Sequence, residues 1–279
     1  YLYDKVGLYD TVKSVVNGNS AMNITGCWQS VDDIHDRMLN FLENHDEQRI
    51  ASEYFAGSAE KGKPALIVSA LMRSNPFMIY FGQELGEKGM DEEGFSGKDG
   101  RTTIFDYWTI DTIRRWRNGG KFDGANLSKE EKELQAYYTK VLSICNKEKA
   151  VSLGSFFDLM YVNYENSTLN PHDHYVFMRN YNDETLLIAV NFRSNSCDLK
   201  INIPQHAINF LNIPVGYYEA VELLTGEKST KYISSDSSFD TFIPAHNAVI
   251  WKINHKKVKR NCKKIVIHIY FFKKVCYNI

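Results

Sequence analysis

The chain has 279 residues, 43% of them hydrophobic and 24% charged, the proportions of an ordinary globular protein with room for one large or two ordinary domains. Its formal net charge of −1 hides an asymmetry: nine of the 33 basic residues follow Asp240 and none of the 34 acidic ones does, so residues 1–240 set 24 basic against 34 acidic groups, a balance of −10. An acidic body argues against a nucleic-acid partner and suits a neutral ligand.

Tyr1 to Asp10 (YLYDKVGLYD) reads as a strand end, a loop and the start of a helix that Thr11 to Asn17 continue and Gly18 stops. The chain opens as if inside a strand, without methionine or signal peptide, and its true start is expected upstream. Ala21 to Ser30 reads as a polar connection and Val31 to Met38 as a short helical turn. The hydrophobic run Met38-Leu39-Asn40-Phe41-Leu42 then leads into Glu43-Asn44-His45-Asp46-Glu47-Gln48-Arg49. A short strand ending in Asn-His-Asp sets polar chemistry at its carboxyl end, where α/β barrels build their active sites. The plainer alternative is a strand end followed by an aspartate N-cap.

Pro64 to Arg73 (PALIVSALMR) is apolar nearly all round, as a helix buried against a sheet would be. Pro76 to Phe81 gives a strand with the continuous apolar run of one buried on both faces. Gly82 and Gly86, which close it, permit positive φ or tight backbone approach. Glu84 between them is either a catalytic carboxylate or a structural hydrogen-bonding group at the strand's mouth. Glu87 to Trp108 is a loop long enough to be functional. Within it Asp91-Glu92-Glu93-Gly94 carries oxygen ligands without the spacing of a calcium loop, and Trp108 is placed either to stack on a ligand or to be buried. Ser128-Lys129-Glu130-Glu131 is a capping box, and Leu134, Tyr137, Tyr138, Val141, Leu142 and Cys145 follow at helical spacing.

From Val151 the period changes. Tyr175–Tyr181 and Leu186–Phe192 read as a hairpin about Asn182-Asp183-Glu184, and Cys197–Ile203, Tyr217–Leu224 and Ala245–Ile253 as further short strands, the pattern of a β-sandwich. Residues 256–279 depart from it, and read either as a basic tail for anionic surfaces or as read-through into non-native sequence. Their apolar run, Ile265 to Phe272, is far short of the ~20 residues that span a bilayer, so no transmembrane segment is expected. Cys27, Cys145, Cys197, Cys262 and Cys276 contain no Cys-x-x-Cys pair, so no metal site is suggested, and their odd number gives little support to a disulfide framework.

Three of these stretches carry a resemblance. Phe41 to Asp46 is similar to the last conserved motif of the α-amylase superfamily, glycoside hydrolase family thirteen (F-x-x-N-H-D). Pro76 to Gly86 resembles its eighth-strand signature, and Gly100-Arg101-Thr102-Thr103-Ile104-Phe105-Asp106-Tyr107-Trp108 resembles a segment of its bacterial starch-degrading members. The motifs stand in the family's order. The resemblance covers about residues 1–254 and implies a fold of two parts. Residues 1–150 would be the C-terminal part of a (β/α)8 TIM barrel, about strands 6–8, and residues 151–255 an antiparallel β-sandwich domain.

It implies chemistry as well. Asp46 would be the ionised carboxylate that steadies an oxocarbenium-like transition state, and His45 would hydrogen-bond the sugar at the cleavage point. Asp99 and Arg101 are candidates for sugar hydroxyls, although Arg101 can also pair with loop carboxylates. The partner implied is an α-glucan or oligosaccharide, which favours an extracellular, periplasmic or cell-surface setting. No cofactor is assignable; calcium is possible by family, with no ligands identified. In that family the nucleophile Asp and the acid Glu sit on strands four and five, upstream of this sequence. The expectation is therefore a fragment of an α-amylase-like glycoside hydrolase that cleaves α-1,4-glucosidic bonds in starch or related α-glucans with retention, inactive alone and left with an unpaired strand edge. An α-glucan transglycosidase of the same family, and a non-catalytic glucan- or partner-binding relative, are the alternatives.

Overall fold

The computed structural model describes residues 1–89, 98–105 and 110–257. Three short strands, β1 (Leu2–Tyr3), β2 (Met38–Phe41) and β3 (Phe77–Met78), run parallel in the order β1-β2-β3. Leu2 pairs with Met38 and Asn40 with Phe77, so β2 has a neighbour on each side. Parallel neighbours need crossovers. Helices α1 (Asp10–Val16) and α2 (Asn23–Ser30) make the first, and α3 (Lys63–Leu71) the second. The described residues contain no closed barrel, and β1 leaves Leu2 and Tyr3 exposed at an open edge.

Two local expectations are corrected here. Residues 23–30 are helix α2, not a polar connection. Ile24 and Cys27 bury one narrow face, and Thr25 and Trp28 on the same helix both donate to Asp158, at 2.7 and 2.8 Å. The strand expected over 76–81 pairs only at Phe77–Met78. It is cut short because Gln83 folds back, its side chain accepting from the Tyr80 N–H at 3.1 Å and its own N–H donating to the Tyr80 carbonyl at 3.0 Å. Gly82, at φ +82°, makes that turn possible.

Helix α3 begins with Pro64 in its first turn and is buried from Pro64 to Leu71. It lies between β2 and the strands of a second, antiparallel sheet. Helices α4 (Asp111–Arg117), α5 (Lys129–Lys147) and α6 (Lys149–Ser152) follow. The expected capping box opens α5: the Glu131 N–H donates to Ser128 Oγ at 3.2 Å and the Ser128 N–H to Glu131 Oε2 at 2.8 Å. Leu134, Tyr138, Val141 and Ile144 then bury one stripe of it.

After α6 come β4 (Ser155–Asp158), α7 (Met160–Asn163), β5 (His174–Tyr181), β6 (Glu184–Asn191), β7 (Cys197–Ile201), α8 (Gln205–Phe210), β8 (Gly216–Glu222), β9 (Lys228–Ile233), β10 (Phe239–Ile243) and β11 (Asn247–Lys257). Six strands form an antiparallel sheet in the order β4-β5-β6-β11-β8-β9, and β7 pairs with β10 in a smaller one. The β5–β6 hairpin turns on Asn182-Asp183, with Asn182 at φ +52°. Trp251 of β11 joins the two sheets, its indole N–H donating to Thr241 Oγ1 at 2.8 Å and its ring 6.3 Å from that of Phe239.

One apolar cluster runs from Leu8 to Ile253 through α3 and the large sheet. Two buried polar hubs cross it. Arg179 of β5 donates from its guanidinium to the carbonyls of Met72, Ala150, Val151 and Gly154 and to Ser74 Oγ, at 2.6–3.0 Å. Asp158 of β4 accepts from Thr25, Trp28, Tyr175 and the Met160 N–H. Among the described residues no helix is long and apolar enough to cross a membrane. The basic tail lies outside the described residues from 258 onward.

Candidate active site

The three parallel strands deliver their carboxyl ends to one rim. Each continues into a tight, hydrogen-bonded turn that projects polar side chains. After β1, Asp4 accepts the Leu8 N–H at 2.8 Å and closes a π-turn over Lys5–Tyr9. After β2, the Asn44 carboxamide oxygen accepts the N–H groups of Asp46 and Glu47, at 2.8 and 2.9 Å. This is an Asx turn. It reverses the chain as soon as the strand ends and lifts His45 and Asp46 outward. The capping oxygen is thus Asn44's, and no helix starts at Asp46.

His45 Nε2 lies 3.3 Å from Asp46 Oδ2, with their side chains 44% and 66% exposed. The pair stands on a ledge, outside the cavities of about 630 and 750 Å³ found elsewhere in the fold. Asp99 and Arg101 form an ion pair with each other at 2.5 Å, reinforced by the Arg101 N–H to Asp99 Oδ1 at 3.1 Å. Asp99 holds the Arg101 guanidinium above its usual pKa, and the charges of Asp46 and Glu47 add to the effect. All four expected site residues therefore share one electrostatic neighbourhood, and the loop-carboxylate pairing foreseen for Arg101 is present.

A residue pair outside the expected site holds this rim together. Glu43 and Arg49 are fully buried and bonded at 2.7 Å. Arg49 also donates to the Phe81 carbonyl beyond β3, at 2.8 Å, and twice to Thr102 Oγ1, at 2.6 and 3.0 Å. Its guanidinium lies over the Tyr80 ring, 4.5 Å from the centroid. Its backbone N–H reaches the Gly100 carbonyl at 2.6 Å. Glu43 accepts the Ile50 N–H at 2.7 Å. Burial pushes the Glu43 carboxyl above the usual carboxylate range, while Arg49 and the Ile50 N–H pull against it. One buried ion pair thus ties the turn after β2, the end of β3 and the segment carrying Asp99 and Arg101. The available signal was the two opposite charges bracketing Asn44-His45-Asp46.

Glu84 sits in the short turn Gln83–Leu85 between two left-handed glycines. Burial raises its pKa, against the N–H groups of its own turn and the Arg49 charge. Those contacts make it part of the scaffold. Lys5 brackets the ledge from the β1 side, 3.3 Å from Glu47 and 2.7 Å from Asp10. Among the described residues no three His, Cys, Asp or Glu side chains converge in a metal-binding group. Asp91-Glu92-Glu93-Gly94 and Trp108 lie outside the described residues.

The α-amylase catalytic-domain family matches residues 12–150. Solved structures are similar over most of the chain. An Anoxybacillus α-amylase shares 18% identity at a TM-score of 0.57, over 88% of this chain and 46% of its own. The α-amylase of Geobacillus thermoleovorans, solved with acarbose, shares 17% identity at a TM-score of 0.60, over 90% and 47%. A γ-cyclodextrin glucanotransferase from an alkalophilic Bacillus clarkii shares 15% identity at a TM-score of 0.56, over 88% and 31%. The chain therefore spans half or less of the length of these structures. No curated protein matches it.

Proposed function

This chain belongs, through residues 12–150, to the α-amylase family of glycoside hydrolases, and on that premise we propose that it supplies the carboxy-terminal part of an enzyme cleaving α-1,4-glucosidic bonds in starch or related glucans. In this reading β1, β2 and β3 are strands 6–8 of a (β/α)8 barrel, residues 151–255 are a sandwich domain, and the substrate lies across the ledge. The observation that supports it most is the position of Asn44-His45-Asp46. The trio follows a central parallel strand, on the rim that also carries Asp99 and Arg101.

The chemistry follows from that geometry. No backbone N–H is bonded to the Asp46 carboxylate among the described hydrogen bonds, and its near neighbours are His45 and the field of Arg101. A carboxylate held beside a sugar ring favours the positive charge that develops at the anomeric carbon. His45, turned outward beside it, donates to a ring hydroxyl, and Arg101 holds Asp99 toward the same sugar. Proton transfer and nucleophilic attack need two further carboxyl groups about 5–5.5 Å apart. No pair here is assigned to them, so the 279-residue chain alone is expected not to hydrolyse starch. Hydrolysis and glucan transfer share the covalent intermediate, and this rim serves either.

The α-amylase of Geobacillus thermoleovorans was solved with acarbose, which makes that inhibitor the natural probe. Titration calorimetry should show Asp46→Asn weakening acarbose binding about tenfold, or about 1.4 kcal/mol. Reducing-sugar release from starch should stay at background. Unchanged affinity, or steady hydrolysis by the purified chain, would overturn the respective part of this reading.

A further inference from the structure

A cavity of about 750 Å³ opens between α2, β4 and α8, within the size range of small-molecule sites. Arg73, Ser74 and His35 in its lining precede β3 and β2 in the chain. It therefore lies at the amino ends of the strands whose carboxyl ends carry the ledge. We propose that this cavity binds a sugar ring of a neutral oligosaccharide, at a site separate from Asp46.

Its walls supply the two things such a ring needs. Apolar faces come first. Trp28 packs edge-on against Phe156 at 5.2 Å inside the cavity, and Tyr161 and Phe210 stand at its lip, 55% and 58% exposed. Exposed aromatic rings beside a cavity offer the flat surface on which the C–H face of a sugar stacks. A hydrogen-bond donor comes second. The Arg73 guanidinium lies over Trp28 and Phe156, at 5.0 and 4.7 Å. Its Nε is buried and has no hydrogen-bond partner among the described residues. A buried donor without an acceptor costs free energy until a ligand oxygen reaches it.

Charge decides against an ionic ligand. Arg73 is paired with Asp32. Arg179 spends its donors on four carbonyls and Ser74. Asp158 is occupied by four protein donors. Two cations and two anions cancel, which leaves an orphan N–H and aromatic faces for a neutral occupant. The choice of an α-glucan as that occupant rests on the function proposed above.

The test is a maltotriose titration of the 279-residue chain, followed by NMR at the Trp28 indole N–H. A saturable shift is expected. Tyr161→Ala and Phe210→Ala alter exposed side chains and should each weaken it at least fivefold, whereas Asp46→Asn should leave it unchanged. A Trp28 resonance that does not move, an affinity that both lip variants retain, or loss of the response in Asp46→Asn would overturn the proposal. The response at Trp28 and the acarbose affinity dependent on Asp46 are separate readouts, so either site can fail without the other.

Discussion

At the residue scale the rim depends on groups that never touch a ligand. Removing one partner of a buried ion pair leaves an uncompensated charge, at a cost of roughly 3–5 kcal/mol. Arg49→Ala is therefore expected to lower stability by about 3 kcal/mol or more in urea unfolding, and to weaken acarbose binding as Thr102 and Gly100 lose their anchor. A shift below 1 kcal/mol would mean that the rim holds without the pair. His174 tests burial in the second sheet. Its Nδ1 accepts the Asn170 N–H at 3.1 Å and its Nε2 lies 3.4 Å from Cys197 Sγ. Burial depresses its pKa below 6.5, with Asp173 opposing and Arg193 reinforcing. The folded state thus takes up this proton later than the unfolded chain. The contribution is fully present above pH 6.5 and is lost as pH falls through the folded value. His174→Asn should accordingly flatten the decline in stability between pH 6.5 and 5, measured by urea midpoints. At this scale the sequence points to the strand-ending turn Asn44-His45-Asp46, because such motifs are local. It did not show Glu43 and Arg49, whose roles depend on Phe81 and Thr102 brought in from distant segments.

At the element scale legibility followed locality. The capping box of α5 and the Asn182-Asp183 hairpin are written in consecutive residues, and both form as read. Helix α2 was missed because its buried face is only Ile24 and Cys27, with Gly26 between them, and Asp158 holds it from 130 residues away along the chain. The strands β9 and β10 are weakly marked: of β9 only Ile233 is buried, and β10, with Phe242 exposed, pairs with β7 across the intervening β8 and β9. Arg179 is the sharpest case. A charged side chain in a strand, it is fully buried and caps the ends of α3 and α6. Arg179→Ala would strip hydrogen bonds from buried carbonyls, each costing about 1–3 kcal/mol when left unmade. The variant is expected to fold poorly or to lose at least 3 kcal/mol by urea denaturation. Ser128→Ala, which removes one cap, should cost only about 1 kcal/mol by the same measure.

At the scale of the whole molecule, the parallel strands and the antiparallel sheets share one core. Helix α3 contacts β2 on one side and β6 and β11 on the other, Arg179 of β5 bonds Met72 and Ser74 at the end of α3, and Asp158 of β4 holds α2. The chain is therefore expected to unfold in a single transition, with tryptophan fluorescence and far-ultraviolet circular dichroism coincident. Two separated transitions would instead support two independent domains. The open edge at β1 leaves that strand without a neighbour on one side and Leu2 and Tyr3 exposed, a surface prone to association. The central claim is that the ledge at the carboxyl end of β2 meets a sugar. Its most direct test is an acarbose titration of isotopically labelled chain by NMR. Resonances of His45, Asp46, Asp99 and Arg101 should move together along one binding curve. Acarbose binding that leaves all four unmoved would contradict the assignment.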